Sequence, residues 1–426
     1  MHENLNTTEY ALLVAVDTGA YDVLVSLAEL DDLAASAGIE TLAHVVQKRD
    51  DFDHATCIGA GKLREVAEFI ASSRANLVIF DHELTASQLR NIEEICGVGV
   101  IDRTMLILEI FSRRAFTSEG RLQVELARNR YLLPRLAGMG DALSRLGGGG
   151  GGGAGARRGK GETKLELDRR HIRRRIQTLE RELEQLQGRR DQQRRRRKKD
   201  SVTTVAIVGY TNVGKSTLLN TLTDAGVLAE DKLFATLDPA ARALTLPDGR
   251  SVMLVDTVGL VRRLPHHLVE AFHSTLEEAV HADLLLNVCD ISSEEAADQI
   301  RVTNELLREL GAGEVPVLTV LNKSDKVDTI PLAMGKDIAV ISAKTGLGVE
   351  QLLKKIAALL PPTQRRMRLL IPYDEGALLA EIRGKGKVYS EEFASAGTLV
   401  DALVDQRLLH KAQPFALPPE NPADYE

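Results

Sequence analysis

Residues Gly209 to Ser216 read Gly-Tyr-Thr-Asn-Val-Gly-Lys-Ser, which fits G-x-x-x-x-G-K-[ST]. No other stretch limits the fold of this chain so tightly. The pattern has meaning only where a buried strand runs into a tight loop that opens a helix. Val205, Ile207 and Val208 supply the apolar run before it, and Lys215 to Asp224 reads as the helix after it. In such a loop Gly209, Tyr210, Thr211, Asn212, Val213 and Gly214 turn backbone N–H groups toward phosphate oxygens at the positive end of a helix. Lys215 is predicted to reach the outer phosphates, the Ser216 hydroxyl to bind Mg²⁺, and Thr217 to follow on the helix beside the phosphates.

Four further motifs come after it in order. Asp256-Thr257-Val258-Gly259 follows the apolar strand Val252 to Val255. Asp256 is expected to hold Mg²⁺ through water, and the Gly259 N–H to sense the terminal phosphate. Between the two, Phe234-Ala235-Thr236-Leu237-Asp238 places Thr236 where a switch threonine would complete the Mg²⁺ shell. Asn322-Lys323-Ser324-Asp325 follows the strand Val315 to Leu321. The Asp325 carboxylate can accept two hydrogen bonds from the N1–H and N2 amine of guanine, and adenine offers no such pair. Discrimination follows because a buried acceptor left unpaired costs about 1–3 kcal/mol. Ser342-Ala343-Lys344, after the strand Ile338 to Ile341, would point the Ala343 N–H at guanine O6.

The set predicts a GTPase that binds GTP and GDP. Lys215, Thr236 and Gly259 are expected to carry the chemistry, with Ser216, Thr236 and Asp256 around the metal. Leu260 stands where a Ras-like protein places the glutamine that orients water, so hydrolysis by the chain alone is expected to be slow. His266, His267, Arg262 and Arg263 could approach the phosphate, although loop side chains near a switch are more often only solvated.

Around this core the chain divides into four predicted parts. Residues 1–115 alternate apolar runs with helical patterns (Leu12 to Val16, Val23 to Ala37, Thr41 to Val46, Lys62 to Ile70, Leu77 to Phe80, Ser87 to Cys96, Val98 to Ile101), which argues for a small α/β unit with a largely parallel sheet. Residues 116–200 are read as a long helical hairpin. Glu119 to Leu136 forms one arm, and Leu165, Ile172, Ile176, Leu179, Leu183 and Leu186 form a heptad seam on the other. Seven consecutive glycines, Gly147 to Gly153, lie between the arms, and such a run cannot pack an element of its own. Gly188 is expected to interrupt the second arm. Residues 201–362 form the doubly wound phosphate-loop domain, closed by Pro361-Pro362. Residues 363–426 form a small α+β tail, with an apolar run at Met367 to Ile371 and helices expected near Gly376 to Ile382 and Ala396 to Arg407.

Charge separates one of these parts from the rest. The formal net charge is −7, yet Arg157 to Lys199 holds 18 Lys or Arg against 7 Asp or Glu. A segment near +11 in an otherwise acidic chain is suited to a polyanion. With no aromatic residue in it, phosphate and shape recognition of RNA is expected rather than base stacking or DNA sequence reading. Cys57, Cys96 and Cys289 lie far apart and are read as small buried side chains. The chain has no run of 18 apolar residues and begins without a signal sequence, so a cytoplasmic, monomeric protein with no transmembrane segment is expected. Peripheral membrane association stays open. The competing functional class is a regulatory GTPase that docks on a protein or a membrane-bound protease through the heptad seam.

The glycine-rich stretch ends in Gly161-Glu162-Thr163-Lys164-Leu165-Glu166-Leu167-Asp168-Arg169-Arg170. With the phosphate loop, Asp256-Thr257-Val258-Gly259-Leu260, and Gly59-Ala60-Gly61-Lys62 near the N-terminus, the chain resembles bacterial HflX GTPases over essentially all of its length. The resemblance implies a factor that binds the large ribosomal subunit and splits stalled or idle 70S ribosomes under stress such as heat. It also implies ATP binding by the N-terminal part and remodelling of ribosomal RNA, while the charge of residues 157–199 and the placing of the glycine loop at the hairpin tip make these the expected RNA contacts. Gly59 to Lys62 reads equally as a tight turn before the helix Leu63 to Ile70. Asn212 matches the position that holds a monovalent cation in potassium-dependent GTPases, which implies stimulation by K⁺.

Overall fold

A computed structural model describes residues 9–136, 158–199, 202–223, 233–234, 240–262, 278–327, 335, 337–361 and 364–418. Its first sheet has the order β2-β1-β3-β4, built from β1 (Tyr10–Asp17), β2 (Glu40–Lys48), β3 (Leu77–Phe80) and β4 (Gly99–Asp102), all parallel. Six successive residues of β1 are buried because both faces are covered, as a central parallel strand requires. Ala11, Leu13 and Ala15 face α1 (Val23–Ser36) and α4 (Arg103–Arg114), while Leu12, Val14 and Val16 face α2 (Ala60–Ser72) and α3 (Ala86–Cys96). Helix α4 escaped the periodicity reading because Met105 to Leu108, Ile110 and Phe111 are all buried, leaving only the narrow face of Glu109, Ser112 and Arg113 to mark a 3.6-residue period. Asp102 starts it by accepting from Met105 N at 2.9 Å. The three cysteines are buried free thiols.

The hairpin arms are α5 (Ser118–Leu132) and α6 (Arg158–Lys199). Ile172 and Leu179 of the heptad seam are buried. Ion pairs Arg190–Glu119 (2.7 Å) and Arg130–Glu180 (2.8 Å) join the arms in antiparallel order. Arg175 adds a two-bond contact to Glu125 at 2.6 and 2.7 Å. Contrary to expectation, α6 runs unbroken through Gly188. A single helical glycine costs only about 1 kcal/mol, and the Arg190–Glu119 pair beyond it holds the following turn in place. The glycine run lies outside the described residues.

The second sheet has the order β10-β9-β8-β5-β7-β6. It comprises β5 (Thr204–Gly209), β6 (Ala240–Thr245), β7 (Ser251–Asp256), β8 (Leu284–Asp290), β9 (Val317–Asn322) and β10 (Ile338–Val340). Only β6 is antiparallel to its neighbour. The wholly buried β5 is central, and α7 (Lys215–Thr223), α8 (Ala296–Glu309) and α9 (Val349–Leu359) pack around the sheet.

A third, antiparallel sheet has the order β12-β13-β11-β14, from β11 (Gln364–Ile371), β12 (Lys387–Ala394), β13 (Gly397–Asp405) and β14 (Ala416–Leu417). Helix α10 (Gly376–Lys385) covers one face through Leu378, Leu379 and Ile382. The helix expected over Ala396 to Arg407 is therefore a strand followed by a short 3₁₀ turn. Val400, Ala402 and Val404 alternate onto the α10 side, and the adjoining leucines hid that two-residue period in the sequence.

Candidate nucleotide site and its contacts

The loop between β5 and α7 is shaped by positions that tolerate left-handed backbone. Gly209 has φ 144°, Asn212 60° and Gly214 92°. A Cβ on Gly209 would lie 2.2 Å from Val288 O, and one on Gly214 would lie 2.4 Å from Asn322 Nδ2. Both glycines are thus required by close approach as well as by φ. Lys215 is buried, with Nζ 3.1 Å from Gly209 O and 2.6 Å from Tyr210 O. Burial pulls its pKa down to about 8, opposed by the Asp256 carboxylate. Ser216 Oγ donates to Asp256 Oδ2 at 2.9 Å, and Asp256 is fully buried at the end of β7.

Two hydrogen bonds splice the loop to the segment after β7. Thr211 N donates to Leu260 O at 2.8 Å and Leu260 N to Gly209 O at 3.1 Å. Thr257 and Val258 are buried beneath. Gly259 lies so close that a Cβ would stand 2.7 Å from Thr211 Cγ2 and 3.0 Å from Lys215 Nζ. This motif therefore packs against the loop so closely that a side chain at this position would have no room.

The base-recognition motifs are tied together by one asparagine. Asn322 Nδ2 donates to Val213 O at 2.8 Å, and Asn322 Oδ1 accepts from Ala343 N at 2.9 Å. Ser342 Oγ donates to Asp325 Oδ1 at 2.5 Å, which holds that carboxyl below its ordinary range. Lys323, at φ 62°, pairs with Asp290 at 2.7 Å. Ser324 is buried and Lys344 exposed. From α7, Thr221 Oγ1 reaches Ala343 O at 2.7 Å. Helix, loop and both base motifs thus form one hydrogen-bonded frame at the carboxyl ends of β5, β7, β8, β9 and β10, the edge where doubly wound sheets place their ligands.

Residues 25–112 match the family model described as GTP-binding GTPase N-terminal, residues 114–197 the GTP-binding GTPase middle region, and residues 204–323 the 50S ribosome-binding GTPase. A "GTPase HflX" of Caldanaerobacter subterraneus is 48% identical over 98% of this chain and 96% of its own length. Its namesake in Escherichia coli K12 is 40% identical over 97% of this chain and 98% of its own. The chain belongs to the HflX family of GTPases. Among solved structures, a GTP-binding protein of Sulfolobus solfataricus in complex with GDP aligns with 83% of this chain and 98% of that chain, at 26% identity and a TM-score of 0.45. GTP hydrolysis and GTP/GDP binding come with membership of the HflX family.

Of the predicted site residues, the loop, the Asp256–Gly259 segment and both base motifs converge. Ala235, Thr236, Leu237 and Asp238 lie outside the described residues, as do Arg263, His266 and His267. Phe234 is described, buried at φ 55° with its ring 4.5 Å from that of Phe111 in the N-terminal unit. Sequence reasoning missed the residues that meet the site from that unit. Ser36 Oγ accepts from Leu233 N at 3.0 Å, and Glu29 Oε1 accepts from Arg262 N at 3.0 Å. Glu29 is held in turn by buried Arg103 (2.9 Å), which also binds Asp81 (2.7 Å). Their only sequence signal was charge inside an apolar α/β pattern. At the other candidate segment, Gly59 caps α2, its N–H donating to Gln47 Oε1 at 2.7 Å, and Lys62 pairs with Glu65 at 2.6 Å. Gly59 to Lys62 is a helix start, not a loop wrapped around a phosphate.

Proposed function

We propose that this GTPase binds the large ribosomal subunit in its GTP state and separates the subunits of stalled or idle 70S ribosomes under stress, then leaves on hydrolysis. The observation that carries the reading is the hydrogen-bonded nucleotide frame, whose loop, helix, Asp256–Gly259 segment and Asn322 lie within residues that match a 50S ribosome-binding GTPase model, joined to a 42-residue helix of strongly basic sequence. That helix suits the phosphates of ribosomal RNA, and the glycine run between the arms would enter a narrow RNA cavity where side chains do not fit. The protein would act as a cytoplasmic monomer. Among the described residues no helix is long and apolar enough to cross a membrane.

Mg²⁺ fits the residues present. The Ser216 hydroxyl and the Asp256 carboxylate are adjacent hard oxygen donors beside Lys215, and Mg²⁺ takes few protein ligands when phosphates and water supply the rest. Thr236 is assigned to the same shell. When bound, the ion would neutralise charge on the outer phosphates. Lys215 would turn from the carbonyls of its own loop to those phosphates, Asp325 would read guanine, the Ala343 N–H would leave Asn322 Oδ1 to reach the base, and Asn212 would help hold K⁺.

The test is GTP turnover in K⁺ buffer, alone and with purified large subunits, across a salt series. Stimulation of about tenfold, equivalent to about 1.4 kcal/mol of barrier, that fades as salt rises supports the reading. Turnover indifferent to ribosomes contradicts it and favours a protein partner docked on the hairpin. Equal rates in K⁺ and Na⁺ would remove the monovalent-cation assignment.

A further inference from the structure

Leu260 cannot orient water, and its backbone is pinned to the phosphate loop on both sides. Beside Lys215 and the metal ions, a further cation near the γ-phosphate would stabilise the charge that shifts during transfer. Two residues on, Arg262 is held by two anions. Its N–H donates to Glu29 Oε1 at 3.0 Å, and its guanidinium pairs with Glu295 at 2.8 Å. The second contact is only partly buried, the two side chains being 28% and 29% exposed.

Arg262 forms one wall of a cavity of about 260 Å³, and Tyr210, Thr211 and Asn212 of the phosphate loop form another. Glu29, Asp32 and Glu295 also line this space, and among the described residues Arg262 is the one cation lining it. The buried Tyr210 hydroxyl there has no hydrogen-bond partner among the described residues. Glu295 is the N-cap residue of α8 and caps it with no side-chain hydrogen bond. The positive end of that helix would keep the carboxylate favourable after its arginine departs.

We propose that Arg262 is the transition-state cation of this GTPase, paired with Glu295 in the arrangement described and turned across the cavity to the phosphates when GTP is bound. In the reaction, water oxygen bonds to the γ-phosphorus and the bond to the β–γ bridging oxygen breaks. Its electron pair stays on GDP, and the water protons pass to the product phosphate and solvent. Arg262 exchanges no proton. It contributes fixed positive charge to the γ oxygens and the bridging oxygen, a task suited to a planar group that stays ionised and can bind phosphate through two N–H bonds. The γ-phosphate competes with Glu295 for the same guanidinium, so the ion pair and the catalytic contact exclude each other. The inference rests on GTP hydrolysis and not on the ribosome reading, since the intrinsic reaction tests it.

The experiment compares GDP affinity, binding of GDP with aluminium fluoride, and single-turnover GTP hydrolysis in Mg²⁺ and K⁺ for four full-length variants. Arg262→Ala is expected to keep GDP affinity within about twofold, to lose the aluminium fluoride complex, and to slow hydrolysis about 1,000-fold or more, as removal of a phosphate-clamping arginine does elsewhere. Arg262→Lys should fall between it and the parent. Glu295→Gln should hydrolyse GTP faster than the parent, and that gain should vanish in the double variant with Arg262→Ala. An Arg262→Ala protein that hydrolyses as fast as the parent, or faster, would overturn the proposal and leave the ion pair a simple tether. If Arg262→Ala fails to fold, Glu295→Gln decides alone, and an unchanged rate overturns the proposal.

Discussion

Lys215 shows how one residue can couple nucleotide affinity to pH. With its pKa near 8, the ammonium loses its proton above that pH in the free protein. Phosphate oxygens favour the charged form, so the pKa is higher in the complex. Affinity should therefore be flat below pH 8 and fall by up to about tenfold per unit above it, because binding then takes up a proton. Titration of GDP binding from pH 6.5 to 9.5 checks this, and a flat profile up to pH 9.5 would contradict it. The chemistry of Gly209, Gly214, Ser216, Asp256 and Asp325 was legible in the sequence because a phosphate loop needs those residue types at fixed offsets. Glu29, Ser36 and Phe111 were not, since nothing about a glutamate, a serine or a phenylalanine 100 or more residues upstream signals a contact with Leu233, Phe234 or Arg262.

At the scale of elements, periodicity succeeded where one face was dry and the other wet. It placed α1, α2, α3, both hairpin arms and the strands of the first sheet. It failed where that contrast was weak, at α4, whose buried residues wrap most of its circumference, and at β13, where alternating inward residues are flanked by leucines. Gly188 was over-read as a break. A Cβ added there would meet nothing within 4 Å, so Gly188→Ala should stabilise α6 by about 0.5–1 kcal/mol through lost unfolded-state freedom and better helix propensity. Chemical denaturation of the full chain measures it, and destabilisation would show that the glycine is needed for packing. Pairs such as Arg175–Glu125, roughly 40% exposed on both sides, set the alignment of the arms while each contributes about 1 kcal/mol or less.

In the whole molecule the N-terminal unit and the nucleotide domain meet at Phe111 and Phe234, both at most 2% exposed. Phe111→Ala removes a buried ring from that junction and should cost about 3–5 kcal/mol, seen as a lower denaturation midpoint; a loss under about 1 kcal/mol would mean that the junction repacks freely. The amino-acid sequence by itself determined the fold class, the order of the nucleotide motifs, the antiparallel hairpin and the family, because those depend on local offsets, glycine positions and apolar periods. Tertiary structure alone decided which residues from the N-terminal unit close on the nucleotide domain and that Arg262, bound to Glu29 and Glu295, shares a cavity with the phosphate loop. Contacts between residues some 200 positions apart are set by how packed surfaces fit, and no short-range pattern in a single chain encodes that fit.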